Sequence, residues 1–435
     1  MIKGNRNFIR SIFSYTILSF FEKGVNFALV FMLSYYLLPN EMGIISLYLT
    51  IYVFLHPFIN LYTNGANMLA WEQKREHYKS YFTSALTINI LSFVFFTVVF
   101  FIGFSVFDVL SDIPFILLIL MPFVAYLDTI KLNYLAYSQT TENIKQFGII
   151  NITGAILTFL VTFYCLHFLK TGYTGRIIGL ITSGLIVVII IGYYLRKGKL
   201  IGGYSPRFAK DVLKFGVPLI PHAIGLGIID ISDRFFINLY VNKSELGLYS
   251  VAYTFTSVLS LLSTSFLTAW SPRMNALLFK NNFETKTKVA KTFIMFLACM
   301  VIITIAFWVI SPYIFLFLLN ESYSDAVKFL PWLTLYYFLQ AGYFVFSSIL
   351  FYTKKTKYFM WVSLINIGLN IILNYFLVQS MGAVGAAIAS VISMAVFLII
   401  IIVLSHRFLP IPWRHAFKTM KWNSDLLKRR NPFAD

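Results

Sequence analysis

Long uncharged hydrophobic segments recur along the whole chain, separated by short polar segments. A helix needs about 20 apolar residues to cross the roughly 30 Å hydrocarbon core of a bilayer, and segment after segment reaches that length. The pattern predicts an all-α polytopic membrane protein with about twelve transmembrane helices. The predicted spans are 11–37, 42–70, 80–107, 113–137, 147–169, 177–195, 215–241, 246–271, 292–318, 329–352, 358–380 and 382–405.

The composition agrees with a bilayer environment. Hydrophobic residues make up 59% of the 435 positions and charged residues only 12%, whereas soluble domains are about 45–50% apolar. The first span is too long, and its Glu22 and Lys23 too polar, for a cleavable signal peptide, so we expect it to remain as a helix.

The net charge of +18 raises the question of a nucleic-acid partner, and the position of the basic residues decides against one. With a cytoplasmic N-terminus, 28 of the 35 basic residues fall in inner loops and tails. Four fall in outer loops: Lys170, Arg176, Lys243 and Lys328. This is the positive-inside distribution, and it predicts that both termini are cytoplasmic. No basic, aromatic-rich soluble domain exists to bind nucleic acid.

The sequence offers no pattern for catalysis. Cys165 and Cys299 fall in different predicted helices, which gives neither a disulfide framework nor metal-ligand spacing. No nucleophile triad, phosphate-binding loop or metal cluster is evident. We therefore expect no enzymatic activity, no metal and no cofactor. Coupling to a H⁺ or Na⁺ gradient stays open.

The two halves of the chain carry related motifs. Glu41-Met42-Gly43-Ile44 matches Glu245-Leu246-Gly247-Leu248 at an offset of 204, and Gly172-x-x-Gly175 matches Gly382-x-x-Gly385 at an offset of 210. Such ordered matches indicate a duplicated six-helix unit. We expect bundles at 1–200 and 201–405 and a basic cytoplasmic tail at 406–435. An even helix number gives a pseudo-twofold axis along the membrane normal, with a cleft between the bundles.

Three segments carry a family resemblance: Phe215–Pro221, Asp233–Ile237 and Glu245–Tyr253. They resemble the seventh and eighth helices of Wzx-type O-antigen flippases of the multidrug, oligosaccharidyl-lipid and polysaccharide exporter superfamily. The resemblance implies transfer of an undecaprenyl-pyrophosphate-linked oligosaccharide from the inner to the outer leaflet of the bacterial inner membrane. Implied partners are this substrate, membrane lipids and other polysaccharide-assembly membrane proteins.

Charged residues inside predicted helices are costly in a bilayer and usually face a protein interior or a cavity. Only the first, fourth and seventh helices contain them: Glu22, Lys23, Asp128, Lys131, Asp230, Asp233 and Arg234. We predict that Lys23, Lys131 and Arg234 form a ladder that guides the pyrophosphate headgroup. The four acids are candidates for support or ion coupling. The alternative is self-neutralisation, because Asp230 and Arg234 are four apart, and Asp128 and Lys131 three apart.

Asn366, Asn370 and Asn374 recur every four residues on the predicted eleventh helix. One stripe of amides could contact sugar hydroxyls, although hydrogen bonding between helices is the favoured interpretation.

Two other functional classes compete with the flippase. A polysaccharide polymerase would also have about twelve helices, but it would need a long outer loop, and the longest one predicted here has about ten residues, near 319–328. The second class comprises other transporters of the superfamily, for lipid II, teichoic acid precursors or cationic drugs. A drug cavity should be acidic and lack residues such as Arg234.

Overall fold

The computed structural model describes residues 2–104, 115–220, 232–353 and 356–420, and these segments are helical apart from short connections. The helices are α1 (Ile2–Tyr36), α2 (Pro39–Asn60), α3 (Thr63–Gln73), α4 (Tyr78–Phe104), α5 (Phe115–Thr140), α6 (Ile144–His167), α7 (Thr174–Lys197), α8 (Pro206–Gly216), α9 (232–240), α10 (Lys243–Thr256), α11 (Val258–Phe279), α12 (Phe283–Leu318), α13 (Leu330–Tyr352), α14 (Thr356–Met381), α15 (Ala383–Phe408) and α16 (Trp413–Lys418). Short 3₁₀ helices lie at Arg75–His77, Val217–Leu219 and Glu321–Phe329.

Within these ranges, eleven helical segments are long and apolar enough to cross a membrane. They correspond to every predicted span except the seventh, 215–241, because residues 221–231 lie outside the described part of the chain. The prediction of an all-α, multi-pass membrane protein is confirmed.

The second predicted span, 42–70, is not one continuous helix. It is interrupted between α2 and α3, where Leu61 and Tyr62 both adopt a φ of 51°. Asn89 of α4 donates to the carbonyl oxygens of Ile59 and Asn60, at 3.1 and 2.9 Å. α2 alone has 22 residues, enough to cross the hydrocarbon core, so the break follows a complete span, and Asn89 satisfies two of the carbonyls freed there.

The predicted loop between the eighth and ninth spans is also mostly helical. α11 continues to Phe279 and α12 begins at Phe283, which leaves only three connecting residues. Asn281 takes a φ of 47°, and the Asn282 side chain accepts a 2.8 Å hydrogen bond from the Thr285 amide. This cap satisfies a free N–H group at the start of α12 and allows the helix to begin earlier than hydropathy indicates.

The two bundles meet where α2 and α10 begin, at the end of the molecule that the charge distribution predicts to be outside. We call this the predicted outer end. A Cβ atom on Gly43 would lie 1.9 Å from the Lys243 carbonyl oxygen, and one on Gly247 would lie 1.8 Å from that of Pro39. Each contact is the other displaced by 204 positions, which is how a twofold axis relates two copies of one surface.

The segment between the bundles packs on the N-terminal bundle. Val212 of α8 is buried with Tyr81 and Phe82 of α4, and a Cβ on Gly216 would lie 1.8 Å from the Leu61 carbonyl oxygen. At the other end of the chain, Ala416 of α16 is buried in a cluster with residues of α12. The division at residue 200 remains a prediction.

Candidate functional site

A cavity of about 420 Å³, lined by both apolar and charged residues, lies inside the N-terminal bundle. Helices α1, α2, α5, α6 and α7 line it, and Thr254 of α10 adds one wall from the C-terminal bundle. Its charged lining residues are Glu22, Asp128, Lys131 and Arg176. The cavity therefore brings together two of the predicted charged helices, the first and the fourth.

Lys131 pairs with a different residue from the one its sequence neighbours indicated. Its Nζ lies 3.2 Å from Glu22 Oε1 of α1, and Asn151 of α6 donates a 2.7 Å hydrogen bond to Glu22 Oε2. Both partners are mostly buried, with 19% and 26% of their side chains exposed. The ion pair thus joins α1 to α5. Lys131 is therefore not paired with Asp128 of its own helix, which was the alternative.

Asp128 contacts α2 instead. Tyr52 Oη donates a 2.8 Å hydrogen bond to Asp128 Oδ2, and His56 Nε2 lies 3.6 Å from the same oxygen. Asp128, Glu22 and Lys131 also line a second cavity of about 320 Å³. These charged side chains therefore lie between two cavities of one bundle.

The position of one charged residue of this cavity, Arg176, was predicted wrongly. It was predicted to lie in an outer loop, but it belongs to the first turns of α7 and lines the larger cavity. Leu180, Ser183 and Val187 of α7 line the same cavity. From Arg176 onward, these residues are spaced four, three and four positions apart, which places Arg176 on the same helix face as the other three.

Lys23 faces another space. It lines a cavity of about 260 Å³ between α1 and α11, together with Ser19 of α1 and Thr264 and Ser265 of α11. This cavity lies between the two bundles, and neither Glu22 nor Lys131 lines it.

Arg234 of α9 lies in the C-terminal bundle, where its guanidinium is 5.3 Å from the centre of the Tyr253 ring. The neighbouring Asp233 is buried and accepts hydrogen bonds from Tyr249 Oη at 2.6 Å, Ser390 Oγ at 2.5 Å and Asn374 Nδ2 at 2.8 Å. Asp230 lies outside the described residues. Lys23, Lys131 and Arg234 therefore occupy three separate places: the space between the bundles, the N-terminal cavity and the C-terminal bundle.

The asparagine stripe of α14 is buried in the C-terminal bundle, where Asn366, Asn370 and Asn374 are at most 3% exposed. Asn370 accepts a hydrogen bond from Ser232 Oγ of α9 and donates one of 3.2 Å to Ser393 Oγ of α15. Asn370 and Asn374 thus form hydrogen bonds between helices, as the favoured interpretation predicts. Their contact with sugars remains a prediction.

Metal binding finds no structural basis in the described ranges, which contain no group of three or more His, Cys, Asp or Glu placed to hold an ion.

Several solved structures with the same fold are described as transporters or flippases. An inward-facing multidrug resistance MATE family transporter of the MOP superfamily is 14% identical, with 92% of this chain and 96% of that one covered at a TM-score of 0.73. The lipid II flippase MurJ is 15% identical, with 90% and 87% covered at 0.72. A MOP superfamily transporter from Pyrococcus furiosus, described as having a binding pocket of reversed polarity, is 14% identical, with 91% and 95% covered at 0.61.

Family models match the sequence directly. The model described as MatE matches residues 218–376, while no curated protein matches the chain. The model described as polysaccharide biosynthesis protein matches residues 8–278, more than half of the chain. The chain therefore belongs to the polysaccharide biosynthesis protein family and has the fold of the exporter superfamily that its sequence resembles.

Proposed function

We propose that the protein is a flippase that moves an undecaprenyl-pyrophosphate-linked oligosaccharide from the inner to the outer leaflet of the bacterial inner membrane. The observation that carries this proposal is the cavity beside the bundle interface, with Lys131 and Arg176 in its lining, in a chain matched by a polysaccharide biosynthesis family. A headgroup with phosphates and hydroxyls needs polar and cationic partners to replace its water in a bilayer.

The bundle interface supports transport by alternating access. The bundles are in backbone contact at the predicted outer end, through Gly43 and Gly247. The cavity that contains Lys23 reaches Ser265 of α11, 18 residues after Gly247, or about 27 Å along a helix. One end of the interface is therefore closely packed while a space lies between the bundles farther along. Rocking about this interface would open and close the two ends in turn.

The three predicted headgroup residues fit successive contacts better than a single binding site. Lys23 faces the space between the bundles, Lys131 the N-terminal cavity, and Arg234 the aromatic face of Tyr253. A pyrophosphate moving between them would exchange one cationic partner for the next.

Coupling to a H⁺ or Na⁺ gradient is part of the proposal. Asp128 and Asp233 are the carboxylates we assign to it, since each is held by tyrosine hydroxyls inside its own bundle. Collapse of one gradient at a time during transport identifies the ion.

Deletion of the gene in its own host tests the function. A flippase mutant should lose all surface polysaccharide units and accumulate lipid-linked units accessible from the cytoplasm. A polymerase mutant, the alternative class, would still display single units on the surface. That second pattern would refute the flippase proposal.

The match of residues 218–376 to the MatE family favours a second candidate, export of cationic drugs. The four charged residues of the cavity lining are two acids, Glu22 and Asp128, and two bases, Lys131 and Arg176, so the cavity lacks the excess negative charge that would favour a cationic drug. Overexpression should therefore leave the inhibitory concentrations of cationic dyes unchanged, and a several-fold increase would support the drug exporter. Reconstitution with lipid II or teichoic acid precursors separates the remaining transporters of this class.

A further inference from the structure

We propose that Arg176 binds an anionic group of the transported headgroup, either a carboxylate on an acidic sugar or a phosphate of the lipid linkage. The inference rests on the proposed flippase function, because it takes the cavity to be the place where the headgroup passes.

Close packing of α7 on α6 fixes the direction of the Arg176 side chain. A Cβ on Gly175 would lie 3.0 Å from Cys165 Cβ, and one on Gly179 would lie 2.2 Å from Thr162 Oγ1. These glycines bring one face of α7 against α6. Arg176 and Leu180 follow on the adjoining face, which lines the cavity.

Both acidic residues in the cavity lining contact residues other than Arg176. Glu22 is paired with Lys131, and Asp128 contacts Tyr52 and His56 of α2. Within the described part of the chain, Arg176 Nη1 is buried and has no hydrogen-bond partner. A buried guanidinium without a partner is unfavourable, and a planar oxyanion is the ligand that it binds best, through two parallel hydrogen bonds.

Arg176 and Lys131 lie toward opposite ends of the cavity. A Cβ on Gly154 would lie 3.8 Å from Lys131 Nζ and 3.4 Å from Val187 Cγ2, so Val187 marks the level of Lys131 on α7. Arg176 precedes Val187 by 11 residues, which corresponds to about 16 Å along the helix. The two cations can therefore contact two different parts of an extended headgroup.

The duplicated half shows that the fold does not need this arginine. Alignment of Gly172-x-x-Gly175 with Gly382-x-x-Gly385 places Ala386 opposite Arg176. Ala386 is fully buried, and Gly385 is in backbone contact with Leu377 of α14. The same helix hairpin thus forms with alanine in that position, so its packing does not require an arginine there.

The test measures binding to the purified full-length protein in lipid nanodiscs by isothermal titration calorimetry. The probes are sodium pyrophosphate, methyl β-D-glucuronide and, as a neutral control, methyl β-D-glucoside. The variants are Arg176→Gln, Arg176→Lys and, as a matched control, Lys170→Gln, which removes the same charge from an exposed loop position six residues earlier. Elution volume and Tm confirm that each variant is folded.

Wild-type protein should bind at least one anionic probe more tightly than the glucoside. Arg176→Gln should weaken that binding at least tenfold and Arg176→Lys by an intermediate factor, because an ammonium keeps the charge but not the two parallel hydrogen bonds. Lys170→Gln should stay within about threefold. Loss for the glucuronide alone assigns the site to an acidic sugar, and loss for pyrophosphate alone assigns it to the lipid linkage. Either supports the proposal. Unchanged anion binding by Arg176→Gln, or no anion binding by wild type, overturns it.

This result is independent of the transport assay. If Arg176-dependent anion binding is found but deletion of the gene leaves surface polysaccharide intact, the flippase function fails and the anion site stands.

Discussion

Ser46 of α2 and Ser250 of α10, 204 positions apart, share a buried hydrogen bond of 2.5 Å between their hydroxyls. They occupy equivalent positions in the two halves, so each serine meets its own counterpart. A side chain can meet its counterpart in this way only on or near the axis that relates two copies. The pair therefore marks the pseudo-twofold axis between the bundles.

Cysteines at these two positions should cross-link the bundles. In a background with Cys165 and Cys299 replaced by alanine, Ser46→Cys with Ser250→Cys should form a disulfide on oxidation, because the two hydroxyl oxygens already touch. If transport requires the bundles to separate here, oxidation should abolish it and reduction restore it. Lipid-linked oligosaccharide transport in proteoliposomes measures both states. Wild-type transport by the fully cross-linked protein would contradict alternating access through this interface.

The glycines beside that pair should be intolerant of any side chain. Gly43→Ala should lower the free energy of unfolding by about 1–3 kcal/mol or more, because its Cβ would lie 1.9 Å from the Lys243 carbonyl oxygen. Gly192→Ala is the control, since nothing lies within 4 Å of its Cβ. Thermal unfolding in detergent compares the two. An equal Tm for both variants would show that the bundles are not in backbone contact.

Glu22 and Lys131 should stabilise the fold only when both are present. Removal of one partner by Glu22→Gln leaves a mostly buried charge unmatched, which costs about 3 kcal/mol in comparable cases. The exchanged variant Glu22→Lys with Lys131→Glu should recover much of that loss. Lys288→Met, which breaks the exposed pair with Glu284 on α12, should leave Tm unchanged. A failure of the exchange to recover any stability would mean that surrounding groups such as Asn151, rather than the pair alone, set the orientation of the charges.

The stability of the hydrogen-bonded cluster around Asp233 should depend on the negative charge of that side chain. Asp233→Asn keeps the shape of the side chain, but it weakens charge-assisted hydrogen bonds from Tyr249, Ser390 and Asn374. We expect a larger fall in Tm than for Tyr249→Phe, which removes one hydrogen bond and costs about 1 kcal/mol. Equal effects of both changes would show that the ionised carboxylate is not what holds the cluster together.

The stability that the contact between α8 and the N-terminal bundle contributes should depend on pH. The hydrogen bond from Lys74 lowers the pKa of Asp211 below its ordinary value of 3.8. A lowered folded-state pKa adds stability above the unfolded pKa, and that stability is lost as the pH falls through the folded value. The Tm difference between wild type and Asp211→Asn should therefore be constant from pH 7 to about pH 5 and shrink below about pH 4. Because both side chains are partly exposed, the corresponding difference in the free energy of unfolding should stay below about 1 kcal/mol. A difference that grows toward low pH would contradict a lowered pKa of Asp211 in the folded protein.

Hydropathy predicts the number and order of spans well because a bilayer requires long apolar helices whatever their tertiary contacts. It does not predict where a helix breaks. Neither Leu61 nor Tyr62 is a glycine or proline, and the group that satisfies the free carbonyls, Asn89, lies about 30 residues away on another helix. Only the packed structure brings these parts together.

Only part of the site could be predicted from the sequence, and the reason is related. Helical rise gives the depth of Lys23, Lys131 and Arg234 in the membrane, but not the direction in which each side chain points. Arg176 was missed because a charged residue at the edge of a hydrophobic segment is counted as loop. Its signal was present in the spacing of Arg176, Leu180 and Ser183, which puts an arginine on one helix face with a hydroxyl. The glycines that turn this face toward the cavity have meaning only once α6 is in place.

The break after α2 has one more consequence. The Leu61 carbonyl at the break is in contact with Gly216 at the end of α8, the segment that leads to the C-terminal bundle. There is no room for a side chain at Gly216, because a Cβ there would lie 1.8 Å from the Leu61 carbonyl oxygen. The start of the connector between the halves is therefore fixed to the N-terminal bundle at the end of α2.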